Sequence, residues 1–274
     1  ATATPSTSSR ASCPTVTLLS DFGTRDGYVA AMKGVIRNLV PEVRLDDASH
    51  DLDQGDVRGG SWALSRYWSR YPPGSVHLAV VDPGVGTGRR ALAVEADGRF
   101  LVAPDNGLLT RVLAVAEGWR AVETVNESYW GTDRSRTFHG RDIFAPVAGH
   151  LARGVEMEAL GAEVTDPMRL EEPVSEWTEE GIVGEVVAVD HFGNLITNIA
   201  GADLPPQESV VVLVRRGDRA EVKLELSRTY GMVESERLTA LVNSAGMLEV
   251  AVRDGSASRR LGEGRGLRVE VRSG

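Results

Sequence analysis

Hydrophobic and polar positions alternate along the chain between strand-like and helix-like spacing. From Thr15 onward, short apolar runs are followed by stretches in which apolar side chains recur every three or four residues. This alternation is typical of βαβ units, in which helices connect parallel strands. The pattern predicts strands at 15–21, 43–49 and 75–82 and helices after Asp26 and at 56–71, 106–118 and 140–155.

Local signals define several boundaries of these elements. Asp26 is the predicted cap of the first helix and Pro41 its stop. Asp97 and Gly98 lie between two alternating apolar runs, which predicts a tight hairpin. The first helix has a shared apolar face made of Val29, Met32, Val35, Ile36 and Leu39.

The pattern changes in the last third of the chain. After the polar stretch 165–181, short β-rich runs are separated by Gly, Asn, Asp and Pro turns, as in a small barrel or sandwich. We therefore predict an α/β protein with a mainly parallel N-terminal α/β sheet domain and a smaller C-terminal all-β barrel domain. The predicted boundaries are a disordered leader at 1–14, the sheet domain at 15–160, a linker at 161–180 and the barrel at 181–274.

Composition narrows the classes of partner. The net charge is −9 and the pI is near 5.2, which argues against binding to nucleic acid or to an anionic membrane surface. Cys13 is the one cysteine, so no internal disulfide is possible, and no apolar run reaches 18 residues. These features predict a cytoplasmic protein. N-terminal processing stays open, because residue 1 is not methionine.

Carboxylates recur where predicted strands end, namely Asp21, Asp46 with Asp47, and Asp82. In open α/β sheets ligands bind at the carboxyl ends of strands, although a single aspartate there is often only a cap or a turn former. Asp82 opens the glycine-rich segment VVDPGVGTGRR at 80–90. This segment lacks the lysine of a phosphate loop, and a strand rather than a helix follows it. It predicts a sharp turn that returns Arg89 to Asp82 as a catalytic or structural ion pair.

Two further segments contain candidate site residues. His139 precedes a glycine and a predicted helix start, and it is either a capping or packing residue or a proton acceptor beside Asp82 and Arg89. In DHFGNLITNI, Phe192 and Asn194 either form a β-turn with a left-handed asparagine, or stack on and hydrogen-bond to an adenine. The sequence has no spacing typical of a metal site and no nucleophile elbow for a serine hydrolase.

Six motifs in order resemble one known family. The segments LLSDFGTRDGYVAAMKGVI, VVDPGVGTGRR, LVAPDNGLL, TFHGRDIFAPVA, DHFGNLITNI and LVNSAGMLEVAV are similar to those of the S-adenosyl-L-methionine (SAM) hydroxide adenosyltransferases, or SAM hydrolases, which are related to fluorinase and chlorinase. The resemblance implies an N-terminal α/β domain, a C-terminal β-barrel and a homotrimer with substrate at the subunit interfaces. It implies that water or hydroxide attacks ribose C5′ of SAM and releases adenosine and L-methionine. SAM is then the substrate, and no cofactor or metal is expected.

The resemblance also implies roles for individual residues. Asp82, Arg89 and His139 would orient and activate the water. The implied substrate contacts are Asp21 to the ribose hydroxyls, Asp26 and Asp190 to the methionine ammonium, Phe192 and Asn194 to adenine, Ser244 to the methionine end or ribose, and Glu249 and Val252 along the adenine.

Two departures separate this chain from fluorinase. Where fluorinase has Tyr-Pro-Ala-Thr in its halide pocket, residues 82–85 are Asp-Pro-Gly-Val, which disfavours an anion and favours a water that must lose a proton. Ala245 stands where fluorinase has an arginine, so the group that holds the methionine carboxylate is left open. The alternatives are a SAM-dependent halogenase and a non-catalytic adenosine or SAM sensor.

Overall fold

The computed structural model of the protein describes residues 13–205, 210–216, 219–262 and 264–273. Residues 1–12 of the predicted leader lie outside this range. The chain divides into two compact units between Leu170 and Glu171. The boundaries placed at 160 and 180 stay predictions. Within the predicted linker, Val164 is buried in a core cluster of the first unit, and Glu176–Thr178 forms a short strand of the second.

Six strands of the first unit form one mixed sheet in the order β2-β1-β3-β5-β4-β6. The pairs β2–β1, β1–β3 and β3–β5 are parallel, and β5–β4 and β4–β6 are antiparallel. The α/β class and the predominance of parallel pairing are therefore confirmed. The strands are β1 Thr15–Ser20, β2 Arg44–Ser49, β3 Val76–Val80, β4 Ala91–Ala96, β5 Arg99–Pro104 and β6 Trp119–Glu123; the helices are α1 Tyr28–Leu39, α2 Val57–Tyr67, α3 Thr110–Val115 and α4 Ala145–Ala152.

Helices cover both faces of this sheet, and the alternation of β3 explains why. Leu78 and Val80 belong to one buried cluster with residues of α1 and α4, whereas Ala79 belongs to a second cluster with residues of α2 and α3. Successive side chains of a strand point to opposite faces, and every residue of β3 is buried, so the sheet must be covered on both sides. Each fully buried aliphatic side chain contributes about 1.5–3 kcal/mol to these cores.

Several predicted boundaries need correction. The residue at the N-cap of α1 is Gly27 at φ +78°, and no side chain caps that end, so the assignment of Asp26 as the cap was wrong. β2 ends at Ser49, so Asp46 and Asp47 lie within the strand and not at its carboxyl end. The third helix covers only 110–115, because β6 begins at Trp119. The hairpin is confirmed, since Asp97 and Gly98 both have positive φ, as a type I′ turn requires.

The fourth predicted helix is divided into two parts. Gly140–Phe144 forms a π-helical turn, and α4 follows with Pro146 in its first turn. Pro146 has no N–H to donate to the carbonyl of Asp142. That carbonyl instead accepts a hydrogen bond from the N–H of Gly131, at 2.8 Å. The turn is thereby bonded to a separate loop of the same unit.

The second unit is an antiparallel, nearly closed barrel, which confirms the predicted architecture. Its strands follow the order β11-β10-β14-β8-β9-β13-β12, and β7 pairs with β8. The two end strands meet where Leu226 bridges Ala240, and the Ser227 N–H donates to the Ala240 carbonyl at 2.8 Å. The elements are β7 Glu176–Thr178, β8 Gly181–Val189, β9 Leu195–Ala200, β10 Val210–Arg216, β11 Arg219–Glu225, β12 Leu238–Val242, β13 Met247–Val252, α5 Ala257–Leu261 and β14 Arg268–Ser273.

A fully buried histidine in β3 makes the stability of the protein depend on pH. His77 has no exposed surface, and its Nδ1 lies 2.8 Å from the Thr17 hydroxyl. Burial, together with the positive charge of Arg99, lowers the pKa of His77 from 6.5 to about 4. Between these two values the unfolded chain binds a proton that the folded chain does not. We therefore expect the free energy of unfolding to fall by roughly 3 kcal/mol as the pH drops from 6.5 to 4.

Urea unfolding at several pH values measures this effect, with His77→Phe as the comparison. The difference in unfolding free energy between wild type and variant should change across this pH window. Parallel pH dependences in the two proteins would show that His77 is not responsible.

Candidate active site

The glycine-rich segment after β3 is a tight turn. The Val85 N–H donates to the Asp82 carbonyl at 3.3 Å, and the Thr87 N–H donates to the Gly84 carbonyl at 3.1 Å. Gly86 has φ +78°, and a Cβ there would lie 2.8 Å from the carbonyl oxygen of Arg136, so glycine is required. The chain enters β4 directly after Arg90. The turn therefore returns to the sheet as a strand, as predicted, and not as a phosphate-binding helix.

The predicted ion pair between Asp82 and Arg89 is present. Arg89 Nε lies 3.0 and 3.1 Å from the two carboxylate oxygens of Asp82, and Nη2 also donates to Oδ2. The side chain of Asp82 is only 5% exposed and that of Arg89 only 11% exposed. The guanidinium carbon of Arg89 lies 4.9 Å from the ring centroid of Phe144 in the π-helical turn. This two-point contact and the ring behind it fix the orientation of the carboxylate.

His139 joins this pair through the same guanidinium. Its Nδ1 lies 3.0 Å from Arg89 Nη2. Because a guanidinium only donates, Nδ1 accepts, and the proton of a neutral ring is then on Nε2. Burial and the charge of Arg89 lower the pKa of His139, and they outweigh the opposing effect of Asp82 and Asp142. Near neutral pH, His139 is therefore an uncharged ring with Arg89 between it and Asp82.

The segment around His139 is held by aromatic contacts and by hydrogen bonds to the buried Asp142. The ring of Phe138 packs edge-on against Phe22 and Tyr28, with centroids 5.8 and 5.0 Å apart. The carboxylate of Asp142 accepts from the Ser135 N–H at 2.8 Å and from Arg141 Nε at 2.6 Å. These contacts connect the segment that contains His139 to the segment that follows β1.

Asp21 follows β1 directly and faces another loop of the first unit. Its Oδ2 accepts from the N–H of Gly55 at 2.7 Å. Gly55 lies near the glycine-rich turn after β3, since a Cβ on it would be 3.7 Å from Cβ of Pro83. Asp26, by contrast, is exposed in the loop before α1. The structure therefore places Asp21 near the Asp82 turn within the same unit.

In the second unit, Asp190, Phe192 and Asn194 occupy one turn between β8 and β9. Asp190 Oδ1 accepts from the N–H groups of Phe192 and Asn194, both at 2.9 Å, and Oδ2 accepts from Asn194 Nδ2 at 3.0 Å. Phe192 is 72% exposed. The residue in the left-handed conformation is Gly193 at φ +82°, so the alternative in which Asn194 adopts that conformation is wrong. The turn presents an exposed aromatic ring beside a fixed amide and carboxylate.

A second polar cluster lies on β13 and the loop before it. Glu249 is only 2% exposed, and it accepts from the Tyr230 hydroxyl at 2.5 Å and from Asn243 Nδ2 at 3.1 Å. Asn243 Oδ1 also accepts from the Ala245 and Met247 N–H groups, which holds the loop that contains the exposed Ser244. Val252 is 7% exposed and lies in the barrel core.

Three residues of these clusters were not predicted from the sequence. Phe144 contacts Arg89, and Tyr230 and Asn243 contact Glu249. Asn243 directly precedes Ser244 in a segment that had been singled out, so its position was a usable signal. Phe144 lies in the quoted segment TFHGRDIFAPVA, but only as an ordinary apolar residue, and Tyr230 lies in none of the quoted segments. Among the residues that the structure describes, no group of three or more His, Cys, Asp or Glu side chains is placed to hold a metal ion, and no helix is long and apolar enough to cross a membrane.

Comparisons with known proteins identify the family of the chain. Residues 16–161 match the SAM hydroxide adenosyltransferase N-terminal domain, and residues 184–270 match the corresponding C-terminal domain. A Salinispora tropica protein named (R)-S-adenosyl-L-methionine hydrolase is 42% identical, over 95% of this chain and 98% of its own length. The Thermus thermophilus protein of the same name is 40% identical over 93% and 98%. The fluorinase of an Actinoplanes species is 29% identical over 70% and 73%.

A solved structure is also similar over nearly the full length. An uncharacterised conserved protein from Thermotoga maritima superposes with a TM-score of 0.85 at 37% identity, and the match covers 93% of this chain and 99% of that one. Both domain models and the full-length relatives lead to the same assignment. The chain belongs to the SAM hydroxide adenosyltransferase family.

Proposed function

We propose that this protein hydrolyses SAM by directing water onto ribose C5′, which releases adenosine and L-methionine. The names of relatives at 40–42% identity over nearly the full chain support this activity. The observation that carries the proposal is the shielded ion pair of Asp82 and Arg89, in which Arg89 also contacts His139. A nucleophilic water needs a fixed base, and this cluster supplies one in a confined position.

Asp82 is the proposed proton acceptor. The sulfonium of SAM already activates C5′, and methionine leaves as a neutral thioether, so a general acid is not required. The enzyme must place one water oxygen in line with the C–S bond and take up its proton. Placement of reactants contributes up to roughly 7–11 kcal/mol in favourable systems, and a positioned base contributes about 10²–10⁴-fold. The carboxylate of Asp82 is fixed and shielded from bulk solvent, as such a base requires.

Arg89 and His139 hold this base in position. In the neutral ring, Nδ1 of His139 is occupied by Arg89 and Nε2 already bears a proton, so neither nitrogen is an open acceptor. His139 therefore orients Arg89 and offers an Nε2–H donor. Because neither nitrogen of His139 can accept a proton in this arrangement, Asp82 is favoured over His139 as the base. The sequence alone left this choice open.

The same carboxylate favours water over halide. A halide approaching C5′ beside Asp82 would meet a like charge in a poorly solvated place, whereas a water would meet an acceptor. Identity to the named fluorinases is also lower than identity to the named hydrolases. Water and halide could both displace methionine by an SN2 path. The hydrolase and halogenase activities therefore differ in the nucleophile and not in the path.

Substrate contacts are proposed for residues of both units. Asp21 would hold the ribose hydroxyls, and Phe192 and Asn194 would stack on and hydrogen-bond to adenine. Asp26 and Asp190 would meet the methionine ammonium, and Ser244 the methionine end or ribose. Glu249 and Val252 have buried side chains, so the 249–252 segment would contact adenine through main-chain atoms. The large exposed area of Phe192 supports the stacking role.

Assembly and location are part of the same proposal. We infer a homotrimer with active sites at subunit interfaces, as the family resemblance implies, and the exposed rings of Phe192 and Trp177 are compatible with contacts to a second copy. Sedimentation equilibrium would measure the number of copies. A cytoplasmic location stays a prediction.

Product analysis tests the function. Purified protein is incubated with SAM in ¹⁸O-water, with and without chloride. The products are separated by chromatography and identified by mass spectrometry. We expect adenosine labelled at the 5′-oxygen and unlabelled methionine under both conditions. A 5′-chloro product that appears with chloride would identify a halogenase. Binding of SAM without turnover would identify a sensor, and either result would contradict the proposal.

A further inference from the structure

One buried histidine outside the Asp82 cluster holds both ends of the loop that contains Asp21. The Nδ1 atom of His50 lies 2.7 Å from the Ser20 hydroxyl, and the His50 carbonyl accepts from the Gly23 N–H at 2.8 Å. His50 is 4% exposed and Ser20 is fully buried. Ser20 and Gly23 flank Asp21 and Phe22, so a single residue fixes the segment on either side of the carboxylate.

The direction of the hydrogen bonds through His50 follows from its other partner. Nε2 lies 3.1 Å from Asp47 Oδ1, and a carboxylate oxygen can only accept. In the neutral ring Nε2 therefore bears the proton, and Nδ1 accepts from the Ser20 hydroxyl. The Phe22 N–H in turn approaches Ser20 Oγ at 3.4 Å. Donors and acceptors thus form one consistent chain from the Asp21 loop to Asp47.

Lys33 on α1 completes this chain. Its Nζ lies 2.5 Å from Asp47 Oδ2. Burial alone would raise the pKa of Asp47, but the hydrogen bonds from Lys33 and His50, together with the positive charge of Lys33, lower it, so the carboxylate stays ionised. The imidazole of His50 is then held in one orientation by an anchored anion, in the way that a carboxylate orients a histidine in many sites. Nothing in the Asp82 cluster requires this arrangement.

The position of the Asp21 carboxylate depends on two contacts, one with Gly55 and one through His50. Asp21 Oδ2 accepts from the Gly55 N–H at 2.7 Å, so the carboxylate is held against a different loop, and the backbone behind it is fixed through His50. Recognition of a vicinal diol by one carboxylate needs both the distance and the angle to be right. A displacement of about 1 Å is enough to cost a large part of such an interaction.

We infer that His50, supported by Asp47 and Lys33, is a positioning residue that fixes the Asp21 carboxylate for the two ribose hydroxyls of the adenosyl group. This inference rests on the proposed function, because it takes adenosine as the ligand of Asp21. Its consequence is selective. Loss of His50 weakens binding of ligands with a ribose diol, and it does not weaken binding of ligands that lack one.

Calorimetric titration with adenosine and with 2′,3′-dideoxyadenosine separates positioning from general disorder. For His50→Phe we expect adenosine affinity to fall roughly tenfold, as for loss of a charge-assisted hydrogen bond, and dideoxyadenosine affinity to stay at the wild-type value. His50→Asn keeps an acceptor near the position of Nδ1 and should recover part of the adenosine affinity. Ser20→Ala removes the same hydrogen bond with little change in volume, and it tests the inference if His50→Phe does not fold.

His77→Phe is the matched control. His77 is also a buried histidine that hydrogen-bonds to a hydroxyl on β1, that of Thr17, but it makes none of the contacts described here to the Asp21 loop. Both adenosine and dideoxyadenosine should bind this control as they bind wild type. Equal weakening of the two ligands by His50→Phe or Ser20→Ala, or no weakening of adenosine, would overturn the positioning role alone. A wild-type protein that binds neither SAM nor adenosine would overturn the proposed function and this inference with it.

Discussion

Replacing Asp82 by asparagine is expected to lower kcat for SAM hydrolysis by roughly 10²–10⁴-fold and to leave adenosine affinity nearly unchanged. Asparagine keeps the shape of the side chain and still accepts from Arg89, but it cannot take a proton from water. A fall in kcat with an unchanged ground-state affinity is the signature of an interaction needed only in the transition state. Single-turnover rates with SAM, together with adenosine titration, measure the two quantities.

The control for this variant is Asp166→Asn. Asp166 also pairs with an arginine of the same turn, Arg90, at 2.8 Å, but its side chain is 82% exposed. An exposed pair of this kind contributes about 0–1 kcal/mol, so turnover and stability should stay close to wild type. Removal of the buried charge of Asp82 can cost about 3–5 kcal/mol of stability, so thermal unfolding is recorded for both variants. Wild-type turnover in Asp82→Asn would contradict its role as the base.

Replacing Arg89 by lysine is expected to lower kcat by about 10²-fold although the charge is kept. Arg89 donates at once to both carboxylate oxygens of Asp82 and to His139. A lysine ammonium is a point charge without the planar fork, so it cannot span these acceptors in one geometry. The carboxylate would lose its fixed orientation. Steady-state kinetics on the variant measures kcat and KM separately.

Arg120→Lys is the matched control for that change. Arg120 also bridges two acidic residues of the first unit, Glu95 and Glu158, but its side chain is 46% exposed. It should retain wild-type kcat. A similar loss in both lysine variants would show that loss of an arginine network in general, and not the orientation of Asp82, is responsible. Full activity in Arg89→Lys would remove the orienting role.

The glycine-rich turn that joins Asp82 to Arg89 illustrates what could be predicted from sequence. Asp82 and Arg89 are seven residues apart with three glycines between them, so a returning turn is a local consequence of the chain. The ion pair follows from this closeness. The hairpin at Asp97 and Gly98 is local in the same sense, because both residues tolerate positive φ. In both of these turns the cause of the geometry lies within ten residues of the chain.

Other features depend on contacts between distant segments. His50 reaches Ser20 only because β1 and β2 pair in parallel, and its role could not be read from its neighbours in sequence. The division of the segment 140–155 depends on Gly131, which supplies the hydrogen bond that Pro146 cannot. Pro146 itself was a visible signal, but its partner was not. The third helix was predicted too long because periodicity alone does not show where β6 begins.

The most direct test of the central claim is the position of the Asp82 carboxylate relative to the reacting carbon. A crystal structure of the protein with adenosine and L-methionine would measure the distance from Asp82 to the 5′-oxygen of adenosine, which is the former nucleophile. We predict a hydrogen bond of about 2.6–3.2 Å between the two, direct or through one water. Adenosine bound with its 5′-oxygen well away from Asp82, or bound in a different pocket, would contradict it.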